Sequence, residues 1–327
     1  MRYHQIGIPK QEKKHNSLSV SIAEAAAISS AKLYGKGDKI KADYAAVESM
    51  RSRFNAVDFA GKVVIGEGEI DEAPMLFTGE KVGTGKGDRF DLAIDPLECT
   101  DSVAKGLLNA ISVIAAAPEG GLLSLPDMYM DKIAVGPKAA GKIYLDSPIS
   151  DNIYKIADVL KKEVEEVIVV ILDRPRHDKI VEQLRKIGAR IRFITDGDVS
   201  GAIAPSYENS GIDVLLGIGK STEAVLAAAA LRCLGGEIQA RLMPKDEKEK
   251  DRLRNMGVND LNKIYSTDDF ASSPNTMFVA TGVSDGPLLK GVQFTTKGAI
   301  THSVVMRAKT GTIRFIEAHH FHSHKQE

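Results

Sequence analysis

The stretch Arg89-Phe90-Asp91-Leu92-Ala93-Ile94-Asp95-Pro96-Leu97-Glu98-Cys99-Thr100 joins an apolar run to an acidic turn. Leu92-Ala93-Ile94 is a short apolar run suited to a buried strand, and Asp95 closes it. Pro96 has no N–H to give a ladder. The strand is therefore expected over 89–95, with 97–100 leaving the sheet.

Upstream, small and apolar residues at helical spacing predict a helix over 17–34, stopped by Gly35 and Gly37. Asp38 is placed to cap a second helix, with Ala42, Ala45, Ala46, Val47 and Met50 near one face. Residues 62–70 read as a strand. The glycines at 83, 85 and 87 predict a turn and no dinucleotide fingerprint, because no helix pattern follows them. Strands are expected at 110–117, 121–125, 132–135 and 142–145, which makes the first half α+β.

After Ser147 the pattern changes to strand–helix alternation. Helices are expected at 151–162, 177–187, near Ala202 and at 222–234, with strands at 167–172, 190–195 and 213–217. Continuous apolar strands alternating with helices predict a parallel sheet covered on both faces. An exposed helix is expected at 245–254, and closing strands at 276–281, 300–307 and 312–317. The expected division is an arm (1–16), an N-terminal α+β domain (17–150) and a C-terminal α/β domain (151–327).

The 327 residues carry a net charge of -1, which gives no whole-chain attraction to nucleic acid or to an anionic membrane. Neither partner is expected, so an anionic substrate must be held by local cations or metal. Two cysteines, Cys99 and Cys233, make no disulfide framework and fit a reducing compartment. No apolar run has bilayer-spanning length, and the first residues lack the apolar core of a secretory signal. The expected location is cytoplasmic.

Acidic side chains gather in three places. They are Glu67, Glu69, Asp71 and Glu72; Asp91, Asp95, Glu98 and Asp101; and Asp196 with Asp198. Hard cations such as Mg2+ and Mn2+ take oxygen ligands, and carboxylates neutralise their charge. In an extended segment Glu67 and Glu69 share a face. The plainer alternative is that such acids solvate a sheet edge.

The segment 95–100, DPLECT, resembles the D-P-(I/L)-(D/E)-G-T signature of lithium-sensitive, metal-dependent phosphatases. The blocks GKGDKIKAD (35–43), VVIGEGEIDEAPML (63–76), GEKVGTG (79–85), PDMYM (126–130), RPRHD (174–178) and DGDV (196–199) resemble class II fructose-1,6-bisphosphatase of the bacterial type. The likeness runs from about Ala25 to Arg314.

That resemblance implies a layered α-β-α-β-α sandwich with Mg2+ or Mn2+ ions bound between its halves. It assigns Asp43, Glu67, Asp95, Glu98 and Glu223 to metal. Thr100 would orient the attacking water, with Lys39 as a supporting charge. A sugar bisphosphate would contact Glu98, Cys99, Thr100, Tyr129, Arg174, Pro175, Arg176, Asp196, Gly197, Asp198 and Lys220. Arg174 and Arg176 suit forked contacts to a second phosphate, or are a solvated loop pair. A homodimer or homotetramer is also implied. Sedoheptulose 1,7-bisphosphate or an inositol phosphate would be a neighbouring substrate, and a catalytically impaired sugar-phosphate-binding paralogue is the other reading.

Three residues depart from the family pattern. Cys99 stands where a glycine is usual, which costs activity if that position needs positive φ. Lys220 and Ala224 replace two further glycines. Gly219-Lys220-Ser221-Thr222 also imitates a phosphate-binding P-loop, but Val214 occupies the position of its required first glycine. Lys220 could replace a lost substrate contact, or pair with Glu223 and compete with metal. The tail holds His319, His320, His322 and His324, either a transition-metal site or a solvated terminus.

Overall fold

The computed structural model describes residues 10–68 and 75–321, of which 10–18 and 208 are described by backbone alone. The chain opens with α1 (Lys10–Ala31) and α2 (Lys39–Asn55), linked through a turn with Gly35 and Gly37 at positive φ. Asp38 caps α2 as expected, its carboxylate accepting the Lys41 N–H at 3.0 Å. Next come β1 (Ala60–Ile65), β2 (Lys81–Val82) and β3 (Arg89–Glu98), then α3 (Thr100–Lys105), β4 (Ile111–Pro118) and β5 (Tyr129–Val135). The alternating part runs α4 (Ile149–Leu160), β6 (Ile168–Leu172), α5 (Asp178–Lys186), β7 (Arg190–Ile194), α6 (Asp198–Ile203), β8 (Val214–Lys220) and α7 (Ser221–Leu234). It continues through β9 (Glu237–Leu242), α8 (Glu247–Asn255), β10 (Tyr265–Ser266) and α9 (Thr267–Phe270). β11 (Met277–Gly282), β12 (Gln293–Thr295), β13 (Gly298–Arg307) and β14 (Thr312–Phe321) close the chain.

Among the described residues these strands form two sheets. One has eight strands in the order β12-β13-β11-β4-β3-β1-β2, with β14 on the flank of β13. The other has six, in the order β10-β9-β5-β8-β6-β7. Helices α1 and α2 cover one face of the large sheet, burying Ala23, Ala27, Ala46 and Met50 with Leu92, Ile94 and Ile114. α6 and α7 lie between the sheets, where Ala93 and Ala115 of one meet Met130 and Ala134 of the other through Val225 to Leu231. α4 and α5 cover the far face of the small sheet through Ile153, Ile156 and Leu184. The layers therefore run α-β-α-β-α, as expected. Ten residues of α7 are buried, and its alanine run lets two sheets close on a helix covered all round.

Several local expectations change. The first strand ends at Ile65 rather than reaching 70, and residues 69–74, with Glu69, Asp71 and Glu72, lie outside the described part. β3 does not stop at Asp95. It continues through Pro96 to Glu98 over a bulge, since Asp95 pairs with Val113 and Glu98 with Ile111, three residue steps against two. Residues 121–125 make only an isolated bridge at Leu122, closed by the Leu123 N–H to the Phe270 carbonyl, while Asp91 takes up the Leu122 N–H. Residues 142–145 form turns, and β9 went unread.

The second sheet is mixed rather than parallel: β6 runs parallel to β7 and β8, but β5 runs antiparallel to β8 and β9. The sheets also interleave along the chain. β5, before residue 150, joins the small sheet, while β11 to β14 return to the large one.

Candidate active site

Five carboxylates from four parts of the chain open onto one cleft of about 340 Å3. Asp43 comes from α2, Glu67 from the bend after β1, Asp95 and Glu98 from the two sides of the β3 bulge, and Glu223 from the first turn of α7. The local chain explains each placement. At Gly66 any Cβ would collide with the Leu76 carbonyl, which accepts the Glu67 N–H at 3.1 Å. Only glycine permits that close turn, and it sets Glu67 among the charges of Asp95 and Asp43. The bulge separates Asp95 from Glu98 and is fixed by the Leu97 N–H, which donates to Asp95 Oδ1 at 3.1 Å.

The electrostatics follow from crowding acids away from water. Burial, then the charges of Asp95 and Asp43, hold Glu67 well above the usual carboxylate range. Burial, then Glu223 and Asp43, do the same to Asp95. Burial and then Asp95 raise Glu98, and burial raises Asp43. Glu223 is pushed up to about 7, by burial and then by Asp198. Glu98 Oε2 and Glu223 Oε2 are buried with no hydrogen-bond partner among the described residues. Buried carboxylate oxygens without donors suit a cation, and an all-oxygen donor set suits a hard one. As the side chains stand, no three His, Cys, Asp or Glu among the described residues converge on a single point. The cleft is lined for ions rather than closed into a coordination shell.

Glu98 is held from behind. Its Oε1 accepts the Val199 N–H at 2.8 Å, at the start of α6. That helix end is pinned by Asp198, whose Oδ2 lies 2.6 Å from Lys132 Nζ. Lys132 is only 2% exposed and also donates to the Lys220 carbonyl at 3.0 Å. Asp198 is thus an interior anchor and does not line the cleft, unlike Asp196 and Gly197 beside it.

Thr100 and Cys99 line the cleft. Lys39 lies at its rim, 3.3 Å from Asp101, the residue after Thr100. Cys99 is buried and has φ 76°, in the left-handed region that a glycine takes without strain. Its thiol points to the Asn109 carbonyl at 3.5 Å, and burial pushes its pKa well up, so it stays protonated. Lys220 and Ala224, by contrast, need no glycine. Lys220 has extended φ of -79°, and Ala224 packs inside α7. Lys220 pairs with Asp127 at 2.7 Å, not with Glu223.

Tyr129 lies opposite Lys220 in the β5–β8 register, so it stands at the mouth rather than in the cleft. The Arg176 guanidinium stacks 4.9 Å from the Tyr129 ring centre and donates to the Ile218 carbonyl. Arg174 lies beside Asp196 and offsets part of the rise that burial gives that carboxyl. Pro175 starts the short helical turn between the two arginines. The cations of this rim face a cleft floored by acids. Sequence reading passed over Asp127 and Lys132, though Asp127 sits in the quoted block 126–130. A lysine inside the apolar strand Met130 to Val135 was the available signal for a buried pair.

At the C-terminus, His319 and His320 belong to β14 rather than to a loose tail, and His322 and His324 lie outside the described residues. No described helix is long and apolar enough to cross a membrane.

The family model described as bacterial fructose-1,6-bisphosphatase, glpX-encoded, matches residues 15–320. The chain is 40% identical over 331 aligned positions to a D-fructose 1,6-bisphosphatase class 2/sedoheptulose 1,7-bisphosphatase of Synechococcus sp. (strain JA-3-3Ab), covering 94% of this chain and 95% of that protein. The protein of the same name from Synechococcus elongatus is 40% identical over 325 positions, covering 92% and 94%.

Proposed function

The chain belongs to the glpX-encoded bacterial fructose-1,6-bisphosphatase family, and we propose that it removes the 1-phosphate of fructose 1,6-bisphosphate at the acidic cleft, with Mg2+ or Mn2+ as the ion. It is a phosphoric monoester hydrolase, and its family is one of metal-dependent phosphatases. The observation that carries the site is the meeting of Asp43, Glu67, Asp95, Glu98 and Glu223 in one cleft, with oxygens of Glu98 and Glu223 buried and unpartnered.

Those five residues would hold divalent ions, which neutralise phosphoryl charge and acidify water when bound. The protein's own work is positioning, as phosphoryl transfer requires. The Thr100 hydroxyl lines the cleft one residue after the αL bend at Cys99 and orients the attacking water. The Val199 N–H fixes Glu98 through Oε1, which would leave Oε2 free to hold a cation. Lys220, tied to Asp127, brings a cation to the cleft wall for the substrate's phosphate. Arg174 and Arg176, with Tyr129 stacked beneath Arg176, offer forked donors at the mouth for the second phosphate.

Sedoheptulose 1,7-bisphosphate is the second substrate this reading admits, because the relatives' names carry both activities. The enzyme acts in the cytoplasm as a homo-oligomer. The test is phosphate release from each bisphosphate with Mg2+ and with Mn2+, abolished in Asp95→Asn and Glu67→Gln. Absence of release from folded protein with any divalent metal would overturn it.

A further inference from the structure

β14 is a ten-residue edge strand, and its sequence, Thr312 to Phe321, has neither proline nor glycine. Among the described residues its outer edge pairs with no strand. The other sheet edges are shorter: β2 and β10 have two residues, β12 has three and β7 has five. Proteins keep exposed edges short, charged or interrupted, because open N–H and C=O groups recruit another strand. β14 is neither short nor interrupted, and the charge on its exposed row is the single acid Glu317.

One face of the strand is also open: the residue that reaches onto it from β13 is His302, whose Nε2 lies 3.3 Å from Glu317. Burial alternates along it, leaving Ile313 38%, Phe315 60% and Phe321 69% exposed. Glu317 and His319 share that row, 57% and 53% exposed, with His319 Nε2 3.0 Å from Glu317. On the opposite face Ile316 packs against the α1–α2 core and His320 bonds Thr301, so the strand itself is firmly seated.

We propose that β14 is the docking edge for a second copy of this chain, paired antiparallel about a two-fold axis at Ala318. The register follows from complementarity. With the axis at Glu317, two Glu317 carboxylates oppose each other. With the axis at Ile316, Phe315 meets Glu317 and Ile313 meets His319. With the axis at Ala318, Glu317 faces the partner's His319 twice, and Phe315 faces the partner's Phe321 twice. Cross-strand charge and aromatic pairs are the contacts that stabilise such ladders, and an isologous pair repeats each of them. The small Ala318 side chain leaves the opposite face clear at the axis.

The test is the solution mass of the full chain by light scattering, with a dimer expected. His319→Glu sets two carboxylates opposite one another, Glu317→Lys takes away the carboxylate that faces His319, and each should weaken the dimer about tenfold. The double variant restores the pair and should return affinity to within about threefold of the natural chain. Oxidised Ala318→Cys should give a covalent dimer, since only the residue on the axis meets its own copy at disulfide distance, while Ile316→Cys should not. Melting curves check that every variant is folded. A monomer at micromolar concentration would overturn the proposal. So would a dimer indifferent to the charge variants and uncrosslinked by Ala318→Cys.

Discussion

The Cys99 sulfur lies against the α-carbon of Gly197, so closely that any Cβ at 197 would collide with it. Both residues have left-handed backbone, φ 76° and 78°, and both line the cleft. The cysteine that departs from the family signature has therefore been accommodated by an absent side chain across the site.

That fit predicts a coupled pair. Gly197→Ala should lower turnover more than tenfold in the natural chain, through both the clash and the positive φ, the latter alone worth about 1–2 kcal/mol. In a Cys99→Gly background the same change should cost several-fold less. Cys99→Gly by itself should change kcat by less than about threefold, because the sulfur is turned toward the Asn109 carbonyl and Gly197, where it fills space. A double-mutant cycle on kcat and melting temperature measures the coupling, and an additive cycle would refute it.

The crowded carboxylates set a pH dependence for the metal-free protein. Glu67, Asp95, Glu98 and Glu223 have raised folded values, Glu223 about 7, so the native state holds protons that the unfolded chain has already released. Stability contributed this way is complete below the ordinary carboxylate range, near about 4, and declines as pH rises through the folded values. The melting temperature of chelated protein should fall from pH 5 to pH 7.5. Added Mg2+ or Mn2+ should raise it most at the upper end, because only the charged forms bind the ion. A melting temperature that rises with pH in chelator would contradict this.

The buried Lys132–Asp198 pair should matter both for folding and for the placing of Glu98. Lys132→Met leaves Asp198 buried without its cation and should cost about 3–5 kcal/mol in denaturant unfolding. Adding Asp198→Leu should recover much of that loss. Activity of the double variant should stay low, because Val199 at the same helix start holds Glu98.

Lys220 has its own working geometry in place of a glycine. Lys220→Gly should raise KM for the bisphosphate about tenfold and leave kcat within about threefold, the signature of lost uniform binding. It should also free Asp127 to compete for metal, so the metal concentration giving half activity should shift. A rise in kcat/KM would instead mean that the lysine impairs the site.

The chain by itself determined the layers and the acids. Helical spacing in 17–34 and 38–50, apolar strands such as 168–172 and the alternation after 147 are local signals, and each produced the element it implied. The family resemblance of its motifs marked Asp43, Glu67, Asp95, Glu98 and Glu223, and all five line the cleft. What tertiary structure alone decided was partnership. A β-strand's local sequence does not say which sheet it joins, so β5 went to the far sheet and β11 to β14 came back to the first. Pro96 read as a strand end, but a bulge against β4 let the strand continue. The resemblance implied a substrate contact at Asp198, and the fold gives it a buried lysine partner 66 residues away in the chain. At Cys99 the sequence could state only the condition, and the fold supplied the left-handed φ and the glycine opposite it. Local pattern fixes the elements because their hydrogen bonds and periodicities are short-range, whereas the pairings depend on surfaces that meet only once the chain has folded.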